Sequence, residues 1–365
     1  MPTLRRRLYL TRPELIPEPT HVRYHIFSVL TWPLVLELPV AGTKIRHKTE
    51  PVENLKWRLV RSSAVMRGRP FSWGGLGDLA GSTDPFPSNR GASPADSGPR
   101  GLLPEFSLKD KVVVVSGGAQ GLGLVQAEAL LEAGATVHVF DRQPEPGPGS
   151  KYHRVAQRAA EELNRTLVYH RVDVREGVDD LNRIAREIAD RHGSLDGLIA
   201  AAGIQQETSA LEYTAADADR MLGVNVTGVL MTAQAVARQM VRLRIPGSIA
   251  LIASMSGTVA NRGLLCPVYN ASKAAVVQLA RNLASEWGAH GIRVNTLSPG
   301  YIVTDMVRAL LEKFPEREAE WPRQNMLGKL SAPEDYRGAA VFLLSDASRF
   351  MTGADLRIDG GHAAW

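Results

Sequence analysis

The sequence predicts an α/β protein, a single doubly wound Rossmann-type domain with a parallel sheet, and three observations carry that prediction. Short β-branched apolar runs alternate with stretches of helical period from Phe106 to Trp365. A glycine-rich turn follows the first of those runs and opens a helix. The 260 residues involved suit one domain in which strand–helix–strand crossovers cover both faces of the sheet.

Ahead of that domain, residues 1–105 read as a disordered basic extension and linker, and residues 106–365 as the folded α/β domain. The extension opens with Arg5-Arg6-Arg7, and residues 68–105 are crowded with Gly, Pro and Ser. Thirteen Lys and Arg against five Asp and Glu fall in residues 1–72, while the whole chain carries only +5, so the remainder is mildly acidic. The basic balance therefore says nothing about the body, and no basic stripe with interleaved aromatics points to nucleic acid. The apolar run Ile26 to Gly42 is short and broken by Pro33, Glu37 and Pro39, so no membrane span is expected. An arginine-rich start suits a mitochondrial targeting peptide, but Glu14 and Glu18 count against it, and a cytoplasmic location is the expectation. Cys266 is the single cysteine, which excludes an internal disulfide framework and a cysteine-cluster metal site; no metal is expected. Its own expected role is that of a small buried hydrophobe.

The body begins with Lys111 to Ser116, a buried strand, followed by a helical stretch from Leu124 to Leu131 that closes at Gly134. Further strands are expected at Thr136–Phe140, Leu167–Val172, Leu198–Ala201, Ser248–Ala253 and Ile292–Leu297. Ligands in such folds bind beyond the carboxyl ends of the strands, so the residues just after each strand are the candidates for function. After the first strand, Gly117, Gly121 and Gly123 are spaced G-x3-G-x-G, with Leu122 between the last two. A tight turn, backbone close to a pyrophosphate and a helix amino terminus facing phosphate all require glycine there. Asp141 closes the second strand, where a carboxylate accepts hydrogen bonds from ribose hydroxyls and repels a 2′-phosphate, favouring NAD. Arg142 follows it and offers a cation that leaves NADP possible. Asp173, with Val174 beside it, ends the third strand and suits either an adenine contact or a cap for the next helix.

Tyr269 and Lys273 stand four residues apart on an expected helix, so phenol and ammonium share one face. A neighbouring ammonium favours phenolate and lowers the phenol pKa toward the range where acid–base catalysis works. Ser254 after the fifth strand and Asn225 near the start of the preceding long helix complete the set.

Together these residues resemble the short-chain dehydrogenase/reductase family over residues 106–365: SGGAQGLG at 116–123, AAAG at 200–203, NVTG at 225–228, ASMSG at 253–257, YNASK at 269–273 and SPGYIVT at 298–304. The resemblance implies that Tyr269 donates and accepts the proton, that Lys273 lowers its pKa and holds the nicotinamide ribose, and that Ser254 polarises the substrate carbonyl. It further implies that Asn225 supports a water relaying protons to Lys273, that Ala202 lies against the cofactor, and that Ile302 and Thr304 meet the nicotinamide carboxamide. Two departures stand out. The usual Asn-Asn-Ala-Gly is here Ala200-Ala-Ala-Gly203, which removes side-chain amides from that strand end. Ser254 lies 15 residues before Tyr269, whereas the family's commoner spacing of about 13 would select Ser256; Ser254 is preferred for its Ser-x-x-Gly match with Gly257.

Within the family, residues 199–365 are similar to fungal D-arabinitol 2-dehydrogenases and mannitol dehydrogenases, which implies oxidation of a polyol to a ketose. A ketoreductase of a fungal secondary-metabolite pathway is the alternative, and a non-catalytic nucleotide-binding scaffold a third. The resemblance also implies a homotetramer or homodimer. Residues Asp305 to Leu330 are expected to form a mobile lid. Its Glu312, Glu316, Glu318 and Glu320 suit a solvated helix face better than hydroxyl binding.

Overall fold

Period-two alternation of apolar residues appears even in the extension, at Val22-Tyr24-Ile26 and Leu34-Leu36-Leu38. The computed structural model describes residues 103–365, together with the backbone of two short segments before them. Those segments are β1 (His21–Ile26) and β2 (Leu34–Pro39), which pair antiparallel with His21 opposite Pro39. They are the described part of the extension, and their alternation suits a paired strand. The linker and targeting readings otherwise lie outside the described residues. The chain divides into two units, Met1–Ala80 and Gly81–Trp365.

In the second unit, seven parallel strands are β3 (Val112–Ser116), β4 (Thr136–Asp141), β5 (Leu167–Arg171), β6 (Gly197–Ala200), β7 (Gly247–Ile252), β8 (Ile292–Pro299) and β9 (Asp355–Ile358). Their spatial order is β5-β4-β3-β6-β7-β8-β9. The chain leaves β3 in one direction and returns to β6 on its other side, so a crevice opens beyond the carboxyl ends of these two strands. β9 was not foreseen; it is four residues long and mixes Asp355 and Arg357 with Leu356 and Ile358 at a sheet edge.

The helices are α1 (Gly121–Glu132), α2 (Lys151–Glu161), α3 (Val178–His192), α4 (Ala215–Leu222), α5 (Val229–Leu243), α6 (Pro267–Trp287), α7 (Asp305–Lys313), α8 (Glu316–Glu320) and α9 (Arg337–Leu344). Start and stop signals explain several of them. Ser150 caps α2 by accepting from the His153 N–H, Thr214 caps α4 from Asp217, and left-handed Gly193 ends α3. Gly223–Gly228 forms a π-helical segment joining α4 to α5.

One face of the sheet packs Val114 and Leu198 against Leu181, Ile188 and Met240. The other packs Val115 and Val137 against Leu124, Leu130, Tyr336 and Leu343. Each such fully buried aliphatic side chain contributes roughly 1.5–3 kcal/mol. A polar exception lies on β4: His138 is fully buried, its Nδ1 2.9 Å from His170 Nε2 on β5 and its Nε2 3.1 Å from His192 Nε2 at the end of α3. Burial, with the neighbouring imidazoles, pushes His138 down to about 3.

Candidate active site

The glycine turn lies where the crevice opens. Gly117 and Gly121 adopt φ of +68° and +56°, conformations that favour glycine. A Cβ on Gly117 would meet Ala202 N at 2.7 Å, and one on Gly123 would meet Gly117 O at 2.3 Å. The turn is thus pressed against the Ala200-Ala-Ala-Gly203 strand end, and the backbone of Ala202 supplies what amide side chains do not. Gln120, ahead of α1, gives no side-chain cap, which leaves the first N–H groups of Gly121, Leu122 and Gly123 for an anion. Thr304 faces this turn, its methyl 4.0 Å from the Cβ position of Gly121, and its hydroxyl caps α7 through Val307 N. Ile302 bridges Ser331 and packs into the core.

Asp141 accepts weakly from Ala119 N and Gln143 N, each at 3.3 Å, so its carboxylate borders the same turn. Beside it a pocket of about 500 Å³ opens between the ends of β4 and β5, lined by Arg142, Arg171, Val172, Asp173 and Gly177 among others. Asp173 accepts from Arg175 N at 2.9 Å, a turn-capping contact, and Val174 packs beneath Gly228. This cradle, with its uncapped helix terminus and adjoining pocket, fits a dinucleotide.

Across the crevice, Ser254 follows β7 and accepts from Ser256 N at 3.2 Å, which turns its hydroxyl toward α6. Ser254 acts on the Tyr269 phenol, lowering it against the larger effect of burial. Lys273 is 5% exposed; its ammonium donates to Ile252 O at 2.8 Å and lies 5.6 Å from the Tyr269 ring centre. Gly257 allows this approach, since a Cβ there would sit 2.8 Å from the Lys273 carbonyl carbon. Asn225, fully buried in the π segment, lies with Lys273 Nζ around Gly203, 3.4 and 3.6 Å from its Cβ position, and makes no direct hydrogen bond to the lysine. Its amide accepts from Ile204 N and donates to Ile204 O, both at 2.9 Å, and donates to Ser272 Oγ at 3.0 Å.

Burial dominates the electrostatics of this pair. Burial pushes the Tyr269 phenol up to about 12, against a smaller lowering by Ser254, and burial pulls Lys273 down to about 8. Desolvation of the charged form is the largest cause of each shift.

Sequence reasoning missed the walls of the mouth. Tyr301 stacks on Trp321 with ring centres 4.4 Å apart and meets His362 edge-on. Arg317 on α8 makes a two-point ion pair with Glu207 in the loop after β6, at 2.9 and 2.7 Å. Asn261 and buried Cys266 complete this side. Glu207, Asn261, Tyr301 and His362 stand singly in loops that carry no periodicity, so nothing in the sequence joined them to Arg317 and Trp321 of the expected lid. Glu312, Glu316, Glu318 and Glu320 are exposed, as expected of a solvated face.

Residues 117–363 match the family model described as enoyl-(acyl carrier protein) reductase. The short-chain dehydrogenase/reductase notP′ of Aspergillus versicolor is 38% identical, covering 76% of this chain and 96% of the relative. The chain belongs to the short-chain dehydrogenase/reductase family. Two other members are similar: galactitol 2-dehydrogenase of Rhizobium johnstonii, at 40% identity over 72% of this chain and 98% of the relative, and D-arabinitol 2-dehydrogenase of Candida tropicalis, at 34% over 72% and 96%. A solved short-chain dehydrogenase, gluconate 5-dehydrogenase from Burkholderia cenocepacia in complex with NADP and tartrate, superposes with a TM-score of 0.64 at 31% identity, covering 72% of this chain and 98% of that one. As a short-chain dehydrogenase/reductase the protein is an oxidoreductase of the alcohol dehydrogenase and ketoreductase type. No helix among the described residues is long and apolar enough to cross a membrane.

Proposed function

We propose that the protein is an NAD(P)-dependent dehydrogenase interconverting a polyol and its ketose, of the D-arabinitol/ribulose or galactitol kind. The observation that carries this reading is the Tyr269 phenol against Ser254 with Lys273 buried behind it. Polyol specificity is supported by the relatives named for arabinitol and galactitol. Residues 106–365 would form the catalytic domain and act as a homodimer or homotetramer, for which the exposed Phe350 and Trp365 offer apolar surface; a single monomeric species in sedimentation velocity would overturn that state.

The nicotinamide, when bound, accepts or returns the hydride. Gly117, Gly121, Leu122 and Gly123 would hold the pyrophosphate, and Asp141 the adenosine ribose. Asp173, Val174 and Ala202 would line the remaining adenosine side, with Ile302 and Thr304 at the carboxamide. Ser254 would hold the substrate oxygen. Tyr269 would give that oxygen a proton in reduction and take it back in oxidation, passing it toward the Lys273 amine. Asn225 acts by pinning Ile204, which fixes the strand end beside Lys273.

Initial rates of the full chain with D-arabinitol, galactitol and D-mannitol, with NAD or NADP, test the reading. Oxidation that falls at least a thousandfold in Tyr269→Phe, with dinucleotide binding retained, is expected, an effect of the size of general acid–base catalysis (about 10²–10⁴-fold). Dinucleotide binding with no polyol oxidation by the wild type would overturn it.

A further inference from the structure

We propose that Glu207 sets the substrate class of this site by neutralising Arg317, so that the mouth accepts an uncharged polyol and rejects a sugar acid of similar length. The inference rests on the polyol reading above and names what enforces it.

The placement follows from backbone contacts on both sides. The loop leaving β6 passes through Gly203, whose Cβ position lies 3.6 Å from Lys273 Nζ, and the next residue, Ile204, is clamped by Asn225. Four residues later Thr208 N donates to Leu265 O at 2.7 Å, which holds the loop against the residue before Cys266 and the start of α6. Glu207 is thereby fixed on the wall one turn ahead of Tyr269. From the opposite side, Arg317 brings both guanidinium NH2 groups to the two Glu207 oxygens. Its side chain is 11% exposed, and its plane lies over Phe314 and Trp321, with Trp321 stacked on Tyr301. The pair thus lies beside Tyr301, whose ring Trp321 covers, on the side of the site where Leu265 leads into α6.

An unpaired guanidinium here would be a carboxylate receptor, since its planar fork matches two carboxylate oxygens. Glu207 already fills that fork. A sugar acid would have to displace Glu207 or lie beside its charge, and either is unfavourable. A polyol meets no such penalty, and Asn261 stands on this wall: it is 6% exposed, its Oδ1 accepts from Asn270 at 3.1 Å, and its amide acts on the Tyr301 phenol. Asn270 follows Tyr269 on α6, so this amide is tied to the first turns of that helix. The fold serves both classes elsewhere, in relatives named for galactitol and for gluconate.

The test compares kcat/KM for galactitol, D-arabinitol and D-gluconate in the full-length wild type, Glu207→Gln and Glu207→Gln/Arg317→Gln. Freeing Arg317 in the single variant should raise D-gluconate relative to the polyols about tenfold or more, chiefly through KM, and added salt should shrink the gain. The double variant should lose it. Arg317→Gln alone provides a second readout: the unpaired Glu207 should tighten inhibition by the cationic polyol D-glucamine about tenfold. An unchanged gluconate-to-polyol ratio in Glu207→Gln, or a wild type that prefers D-gluconate, overturns the inference. If the wild type oxidises no polyol at all, it is the polyol reading that fails; if it does and the ratio stays fixed, only the role of Glu207 fails.

Discussion

Gly123 shows how little room the cofactor turn has at the scale of a single residue. A methyl there meets a backbone oxygen at 2.3 Å, and no flexible side chain can move aside. Gly123→Ala should destabilise the domain by about 1–3 kcal/mol, as overpacking does, and weaken dinucleotide binding more than tenfold, read by thermal melts and titration. Tyr269 and Lys273 make a second prediction. With the phenol near 12 and the amine near 8, the first proton lost on raising pH leaves Lys273. Oxidation needs that amine free to accept a proton, so kcat for the alcohol should rise through about pH 8 while ketone reduction falls there. A flat profile across pH 7–9 would contradict this order of titration. These residues were legible because their chemistry demands fixed types at fixed spacing. Glu207, Asn261, Tyr301 and His362 were not, because their roles come from loops that meet only in three dimensions.

Among the elements, the histidine chain linking β4, β5 and α3 has the clearest thermodynamic signature. An unfolded histidine titrates near 6.5, whereas folded His138 stays neutral to about 3, under desolvation and the charge of Arg191 on α3. The folded state therefore binds fewer protons over that interval, so stability is full above about pH 6.5 and falls as pH drops toward 3. Burial lowers His170 and His192 as well, which adds to the same trend. His138→Leu should flatten part of the decline of Tm between pH 6.5 and 4; an unaltered slope would remove His138 from the account. The strands and long helices were legible from apolar period and caps. The π segment was not, because Gly223 to Gly228 fits an α-helical reading and only tertiary contacts of Asn225 with Ile204 and Ser272 favour the wider turn. β9 escaped because half its residues are charged and it sits at an edge.

For the whole molecule, the doubly wound class and the crevice could be read in advance, since alternating strand and helix permit few topologies. The extension read as basic and irregular, and the backbone described there is β1 with β2. The wall against which the glycine turn closes has a further consequence, for chain growth. Gly117 is pressed on Ala202, yet 84 residues separate them, and β3 gains its partner β6 only after β4 and β5 have been laid down on its other side. A ribosome therefore delivers the phosphate turn early and its backstop late. A nascent chain released at residue 196 should retain no dinucleotide in a pull-down, whereas one carried through to β9 should. The nucleotide can then stabilise only the finished sheet, and it cannot guide the folding of the half that first emerges.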